Sequence, residues 1–294
     1  QYLNEKLASM TAAEQKQLIE ETAAFHDWNS RERSNMDFII RPQDLPEPAK
    51  PCSFTKRQWG TITCYTSPSP SQGVGSYQLY FDISRIEKDD LNYLTLYQML
   101  LTELDTKRFT VEQQKNLEQE YLHDCTFDEL YPARKAGPQN HPMMSVFWFG
   151  LTEDFEAGLD FLLDVMGGGD YGDTDTIIQV LEKYLPDYDQ SKGDNASALA
   201  FSLSEGYTRQ ECRFRNMLNS QENYYFLKDV LKRLKEDPDF GTMAASKLKT
   251  ISHTILNRRG LVFLAAASPD VLGNLEQAAV DILGRLPVFK EDHD

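Results

Sequence analysis

The sequence predicts an α+β domain in which an antiparallel β-sheet carries helices packed on one face, preceded by a helical linker. The element order predicts this class: two strands, a helix pair, two strands, a run of helices, one strand and one helix. Because strands and helices do not alternate along the chain, the order disfavours a parallel sheet. With 294 residues and 40% hydrophobic side chains, the chain can bury a core without disulfide or metal support.

Residues 1–50 differ from the rest and predict a linker made of one helix and one extended segment. Thr11 is a typical helix N-cap, Glu14 follows three positions later, and apolar residues then recur at helical spacing. Four prolines occur from Pro42 to Pro51, and such density forces an extended backbone, which predicts a linker or a strap laid across a surface. We therefore divide the chain into a linker at 1–50 and an α+β domain at 51–294.

Strand composition marks five segments of the domain. GTITCYTS at 60–67 and SYQLYFDIS at 76–84 alternate with period two, and the Pro/Ser/Gly-rich text between them predicts a hairpin turn. HPMMSVFWFGLT at 141–152 is a strongly apolar strand whose partner we expect near 125–130. A last buried strand is predicted at 261–267.

Helical periodicity accounts for the remaining segments. LNYLTLYQMLLTEL at 91–104 is apolar on nearly every face, which predicts a deeply buried helix. Thr110 caps the next helix, and an apolar stripe runs through EDFEAGLDFLLDVM. A short helix, TDTIIQVLEKYL, follows it. The text at 197–268 predicts three amphipathic helices before the last strand, and Pro269 opens the final helix.

The net charge of −16 argues against nucleic acid as a partner, because phosphate binding needs clustered Lys and Arg. Residues 153–190 hold eleven Asp or Glu against the single Lys183. This segment is either a solvated helical face or a negative wall that attracts basic peptides, and the sequence leaves both open.

The four cysteines share no C-x-x-C spacing, which predicts reduced thiols in a cytoplasmic protein. They are Cys52, Cys64, Cys125 and Cys212. The chain starts at Gln1 rather than Met and shows no signal-peptide core, so we expect either an excised piece of a longer protein or a processed product. No apolar run reaches the length of a membrane span, so no membrane partner is expected.

Candidate catalytic and metal-binding residues are few and isolated. His141 and His253 each stand alone, and a lone histidine is more often a hydrogen-bonded structural residue than a ligand. Glu120 and His123 form one Glu-x-x-His pair, which cannot complete a metal site by itself. The terminal EDHD at 291–294 could bind metal only nonspecifically.

Glycines 167–169 invite comparison with a phosphate-binding loop. Such loops follow a strand and open a helix, whereas these glycines follow a helix and precede acidic residues. We therefore interpret them as a helix stop. The sequence also contains no G-x-S-x-G motif.

The segment YQLYFDISRIEKDDLNYLTLYQMLLTELDTKRFT, together with the helical text at 197–268, resembles the presequence-protease branch of the insulinase-type (inverzincin) zinc peptidases. The extended Leu-Pro stretch after the first helix is similar to the segment joining the two halves of those enzymes. The resemblance implies an insulinase or mitochondrial-processing-peptidase-like α+β fold. Those enzymes bind zinc through H-x-x-E-H on a helix, with the Glu as general base.

This chain contains neither H-x-x-E-H nor H-E-x-x-H. The resemblance places the zinc helix of the catalytic copy before the turn DTKRFT, with the ligand and base positions near Leu96, Met99 and Leu100. No residue of 93–101 is His, Asp, Glu or Cys, the donors that Zn²⁺ takes. We therefore assign no catalytic, cofactor-binding or metal-ligating residue, and no cofactor, to this chain.

The resemblance implies a non-catalytic domain from the C-terminal half of a zinc peptidase, forming the chamber wall opposite the zinc site. Its implied partners are the catalytic N-terminal half of the same polypeptide, where zinc is expected, and unstructured peptide substrates. A stand-alone scaffold or interaction module of the same fold is the alternative. A third possibility is an independent hydrolase whose site is assembled from distant residues.

Overall fold

The structure is a computed structural model that describes residues 10–30, 53–130, 142–194, 196–219 and 221–288. The chain divides into two compact units, Gln1–Pro51 and Cys52–Asp294. The proline-rich segment that the sequence predicts to be extended lies outside the described residues.

The first unit contains helix α1, Ala12–Ser30. The predicted cap is confirmed, because the Glu14 amide donates to Thr11 Oγ1 at 3.3 Å and the Thr11 amide donates to Glu14 Oε2 at 2.7 Å. None of the residues of α1 is buried, and its exposed apolar side chains include Leu18, Ile19, Phe25 and Trp28. Local capping therefore defines this helix more than packing does.

The second unit is built on a six-stranded sheet. Its strands are β1 Thr55–Trp59, β2 Ile62–Pro68, β3 Val74–Asp82, β4 His123–Leu130, β5 Met143–Leu151 and β6 Val262–Ala267. The spatial order is β1-β2-β6-β3-β5-β4, and every neighbouring pair is antiparallel except β2 with β6. The sheet and its helices confirm the predicted α+β class, with one parallel pair added.

The predicted hairpin between β2 and β3 is wrong. β6 lies between them, so that Ala265 is opposite Thr66 on one side and Tyr77 on the other. Period-two alternation predicts that a segment is a strand but carries no information about a partner from the far end of the chain. The hairpin that exists joins β1 and β2 through Gly60, whose φ of 57° suits a tight two-residue turn.

One face of the sheet forms the core. Along β3, Tyr77, Leu79 and Phe81 are buried, whereas Gln78 and Tyr80 on the opposite face are half-buried. Each large apolar side chain buried in this way contributes about 1.5–3 kcal/mol. This alternation confirms that the helices cover one face of the sheet.

Nine helices cover the sheet or extend from it within the described part of the second unit. They are α2 Leu91–Leu100, α3 Val111–Tyr121, α4 Phe155–Gly168, α5 Thr174–Asp194, α6 Ala196–Glu205, α7 Gln210–Asn219, α8 Gln221–Glu236, α9 Phe240–Ile255 and α10 Pro269–Leu283. A capping box between Thr110 and Gln113 begins α3, and Pro269 lies in the first turn of α10, as predicted.

Two helical predictions need correction. The text at 197–268 contains four helices before the last strand, α6 to α9, rather than three, because a turn at 206–208 separates α6 from α7. The predicted short helix TDTIIQVLEKYL is the first part of α5, which continues through Pro186 to Asp194. Helical periodicity marks apolar faces well, but it locates the ends of adjoining helices poorly.

Candidate functional site

Helix α2 occupies the position at which the resemblance places a zinc helix, and it is buried on most of its surface. Leu96 is fully buried, Leu100 is 2% exposed, and Met99 is partly buried against the core. The helix is enclosed because α5, α7, α8 and α9 all contact it. Leu96 and Leu100 therefore present only hydrocarbon to a packed interior, whereas Met99, which carries a thioether, is partly buried.

The polar atoms around α2 are used to join helices. The Tyr97 hydroxyl donates to the Met166 carbonyl at 2.7 Å, and Ser252 Oγ donates to the same oxygen at 2.9 Å. This carbonyl belongs to the last turn of α4, where helix carbonyls lack partners along the helix. Burial raises the pKa of Tyr97 well above 10, so the hydroxyl remains a neutral donor. The arrangement ties α2, α4 and α9 together.

The turn at 105–110 is held against α4. Thr106 Oγ1 donates to Asp164 Oδ2 at 2.7 Å and accepts a hydrogen bond from the Phe109 amide at 3.0 Å. The Arg108 guanidinium lies 2.8 Å from Asp160 Oδ2. The basic and aromatic turn that follows α2 therefore binds two acidic side chains of α4 in the same domain.

The histidines do not come together with other ligands. His253 is exposed on α9. Glu120 is in α3 whereas His123 begins β4, so the Glu-x-x-His pair does not share one helix. His141 and the terminal EDHD lie outside the described residues. Among the residues described, no three His, Cys, Asp or Glu side chains are grouped as a metal site requires.

The glycine cluster is a helix stop, as predicted. α4 ends at Gly168, and Gly169 follows as its C-cap. A Cβ atom on Gly167 would lie 2.9 Å from Leu256 Cδ1, so this glycine allows close packing of α4 against the end of α9. These roles need no phosphate ligand.

The described cysteines are free thiols. Burial, with a smaller contribution from the Glu276 charge, raises the pKa of Cys64 to about 11. Burial, followed by the Glu118 charge, raises the pKa of Cys125 to about 12. The thiolate is the nucleophilic form, so both residues are poor nucleophiles at neutral pH. Cys212 is also buried and free, and Cys52 lies outside the described ranges.

Sequence reasoning does not find one surface feature, a groove between the α6–α7 turn and the start of α8. Its walls include Lys88, Leu203, Tyr207, Arg213 and Tyr225, and its volume is about 740 Å³. Lys88 comes from the 3-10 turn before α2, far away in sequence. The signal for this groove is the apolar text of α6, which by itself predicts no more than an amphipathic helix.

Within the described part of the chain, no helix has the length and apolar character needed to cross a bilayer. Comparison with protein families gives a match over residues 1–230 to the model for the domain associated with peptidase family M16, subfamily C. The match runs from the start of the sequence through most of α8 and therefore covers more than half of the chain. It confirms the resemblance stated from the sequence and is consistent with a non-catalytic, C-terminal domain of such a peptidase. The chain belongs to this family of domains associated with the subfamily C peptidases of family M16.

Proposed function

We propose that this chain forms part of the wall of a peptide chamber in a presequence-protease-like zinc peptidase, opposite the zinc site. The observation that carries the proposal is the chemistry of α2. Helix α2 lies where the resemblance places the zinc helix, yet Leu96 and Leu100 are buried and offer no donor atoms. Family membership supports the link to a peptidase.

In this proposal the zinc ion and the general base belong to the catalytic N-terminal half of the same polypeptide. The present domain contributes confinement, because a closed chamber excludes bulk water and holds an unstructured peptide near the metal. Folded proteins too large for the chamber would be rejected. The proposal includes a cytoplasmic location, which the free Cys64, Cys125 and Cys212 support.

The acidic segment at 153–190 lends little support to a wall that attracts basic peptides. Asp160 and Asp164 lie near Arg108, and Glu182 pairs with Lys235. Partly neutralised in this way, the segment acts mainly as a solvated helical face. We therefore assign the substrates as unstructured peptides without a requirement for basic side chains.

A stand-alone interaction module is the second candidate function. The exposed apolar side chains of α1, including Ile19, Phe25 and Trp28, favour it, because exposed apolar clusters commonly mark protein interfaces. In that case the purified chain would form a defined oligomer or bind a separate protein. A chamber-wall domain would instead act only within its own polypeptide.

Photocrosslinking tests the wall assignment. The polypeptide that contains both halves is purified with its zinc-site general base changed from Glu to Gln and incubated with an unstructured peptide bearing a photoreactive side chain. We expect the peptide to crosslink to residues within 53–288 as well as to the catalytic half. Crosslinks confined to the catalytic half would contradict the proposal. A folded protein carrying the same photoreactive group serves as the control and should not crosslink inside the chamber.

A further inference from the structure

The groove beside the α6–α7 turn consists of two adjoining cavities. A second cavity of about 520 Å³ adjoins the first of about 740 Å³, and both are lined by Lys88, Gly206, Tyr207, Arg213 and Met217. Ligand pockets commonly have volumes of about 300–1,000 Å³. The groove can therefore hold several residues of an extended chain.

The wall that carries Tyr207 is fixed in place by reciprocal hydrogen bonds. Ser202 Oγ donates to Asn216 Oδ1 at 2.7 Å, and Asn216 Nδ2 donates back to the Ser202 carbonyl at 2.8 Å. A Cβ atom on Gly206 would lie 2.7 Å from Asn216 Nδ2, so glycine permits this close approach. A binding surface that is ordered before its ligand arrives loses less entropy on binding.

The groove exposes aromatic and apolar surface. Tyr207 is 92% exposed and Tyr225 is 57% exposed, although the Tyr225 hydroxyl accepts a hydrogen bond from Gln221. Leu203 extends this surface along α6, a helix in which no residue is buried. Exposed tyrosines of this kind are typical of recognition surfaces, because they offer large contact areas at low entropic cost.

The charges of the groove oppose those of the chain as a whole. Lys88, Arg209 and Arg213 line it together with one acid, Glu222, in a chain of net charge −16. Arg209 pairs with Glu205 and Glu211. Lys88 and Arg213 form no ion pair with any carboxylate that the structure describes. Two cations are thus available beside exposed tyrosines.

We infer that this groove binds an extended segment of a substrate peptide in which a carboxylate side chain lies next to a large apolar side chain. Arg213 and Lys88 bind the carboxylate through charge-assisted hydrogen bonds, and Tyr207 packs against the apolar neighbour. The inference rests on the proposed function in taking the occupant to be a substrate. It adds a preference for particular peptide sequences, which the family match does not give.

Fluorescence anisotropy on the 294-residue chain tests the inference with three short labelled peptides. In each peptide a three-residue test sequence is flanked by Gly and Ser residues. One carries Asp-Phe-Glu, the second replaces both acids to give Asn-Phe-Gln, and the third removes the aromatic ring to give Asp-Ser-Glu. We expect the first peptide to bind roughly tenfold more tightly than either of the others, because the second peptide loses the contact with the cations and the third loses the contact with Tyr207. Added salt should weaken binding of the first peptide.

Three exposed side chains provide the variants. Lys88→Gln, Arg213→Gln and Tyr207→Ser should each weaken binding of the Asp-Phe-Glu peptide by roughly fivefold to tenfold. The matched control Arg285→Gln changes an exposed cation after α10 that does not line the groove, and it should leave the affinity unchanged. Thermal unfolding midpoints of all four variants should equal that of the parent chain.

Equal affinity for the three peptides would overturn the inference, as would full binding by the Lys88 and Arg213 variants. The result is separable from the proposed function because binding is measured without cleavage. If the 294-residue chain does not bind the peptides but photocrosslinking elsewhere in the domain is intact, the inference about the groove is refuted and the chamber-wall proposal is not. Binding at the groove without crosslinking in the two-half polypeptide would refute the chamber-wall role alone.

Discussion

Trp59 Nε1 donates a hydrogen bond of 2.9 Å to Glu276 Oε1, which ties the edge strand β1 to helix α10. The Glu276 side chain is only 5% exposed, and its nearest cation is Arg57 at 3.5 Å. A buried carboxylate is costly unless hydrogen bonds or opposite charges compensate its desolvation. The residue pair therefore fixes an edge strand whose own side chains are mostly exposed.

Two substitutions at Glu276 separate its hydrogen bond from its charge. Glu276→Gln keeps an acceptor for Trp59 and should lower the free energy of unfolding by less than about 1 kcal/mol, because Arg57 is largely exposed. Glu276→Ala removes the acceptor and should cost about 2 kcal/mol. Urea unfolding followed by tryptophan fluorescence measures both. Equal losses in the two variants would show that the charge, not the hydrogen bond, holds β1.

Two buried tyrosines form a matched pair. Tyr97 donates to the Met166 carbonyl, whereas the Tyr77 hydroxyl has no hydrogen-bond partner among the described atoms. Tyr97→Phe should therefore lower the free energy of unfolding by about 1 kcal/mol, and Tyr77→Phe should leave it unchanged or raise it. Chemical denaturation of both variants at neutral pH tests the contrast. A larger loss for Tyr77→Phe than for Tyr97→Phe would contradict this description of the core.

Buried tyrosines also predict a loss of stability in alkali. Burial raises the pKa of Tyr77 and of Tyr171 from 10.0 to about 12 in the folded state. Above pH 10 the unfolded chain loses these protons while the folded chain keeps them. The contribution of the two tyrosines to the free energy of unfolding is therefore fully present below pH 10 and is lost between pH 10 and 12. Urea midpoints measured across this range should decrease.

Tyr77→Phe serves as the internal comparison for the alkaline experiment. With one of the tyrosine hydroxyls of raised pKa removed, its urea midpoint should decline less steeply between pH 10 and 12 than that of the parent chain. Parallel declines would show that Tyr77 does not contribute to the alkaline transition.

The turn after α2 offers a test of its structural role. Thr106→Val removes the hydroxyl that bonds Asp164 and the Phe109 amide at nearly constant volume, and it should cost about 1–3 kcal/mol of stability. Arg108→Gln breaks a half-exposed ion pair with Asp160 and should cost less than about 1 kcal/mol. Thermal and urea unfolding compare the two. The opposite ranking would indicate that Arg108 anchors the turn.

The burial of α2 can be predicted because apolar side chains occupy nearly all of its faces, and only a fully enclosed helix tolerates that pattern. The cap at Thr110 is equally predictable, since its partner lies three residues away. Such features depend on short stretches of sequence, which contain all the residues involved.

Other features depend on contacts between distant parts of the chain. Sequence reasoning does not find β1, because TKRQW is polar and becomes a strand only by pairing with β2. The position of β6 between β2 and β3 escapes it for a related reason, since the register of β6 is set by two strands near the other end of the domain. The groove needs Lys88 beside Arg213, a proximity that only the packing of α2 against α7 creates.

Zinc titration of the purified 294-residue chain tests the central claim most directly. Isothermal calorimetry and metal analysis after dialysis should show no stoichiometric zinc at micromolar concentrations, because the helix that would hold the ion presents Leu96 and Leu100 to a packed core. One tightly bound zinc ion per chain, lost on substitution of a residue of this domain, would contradict the assignment of a non-catalytic wall.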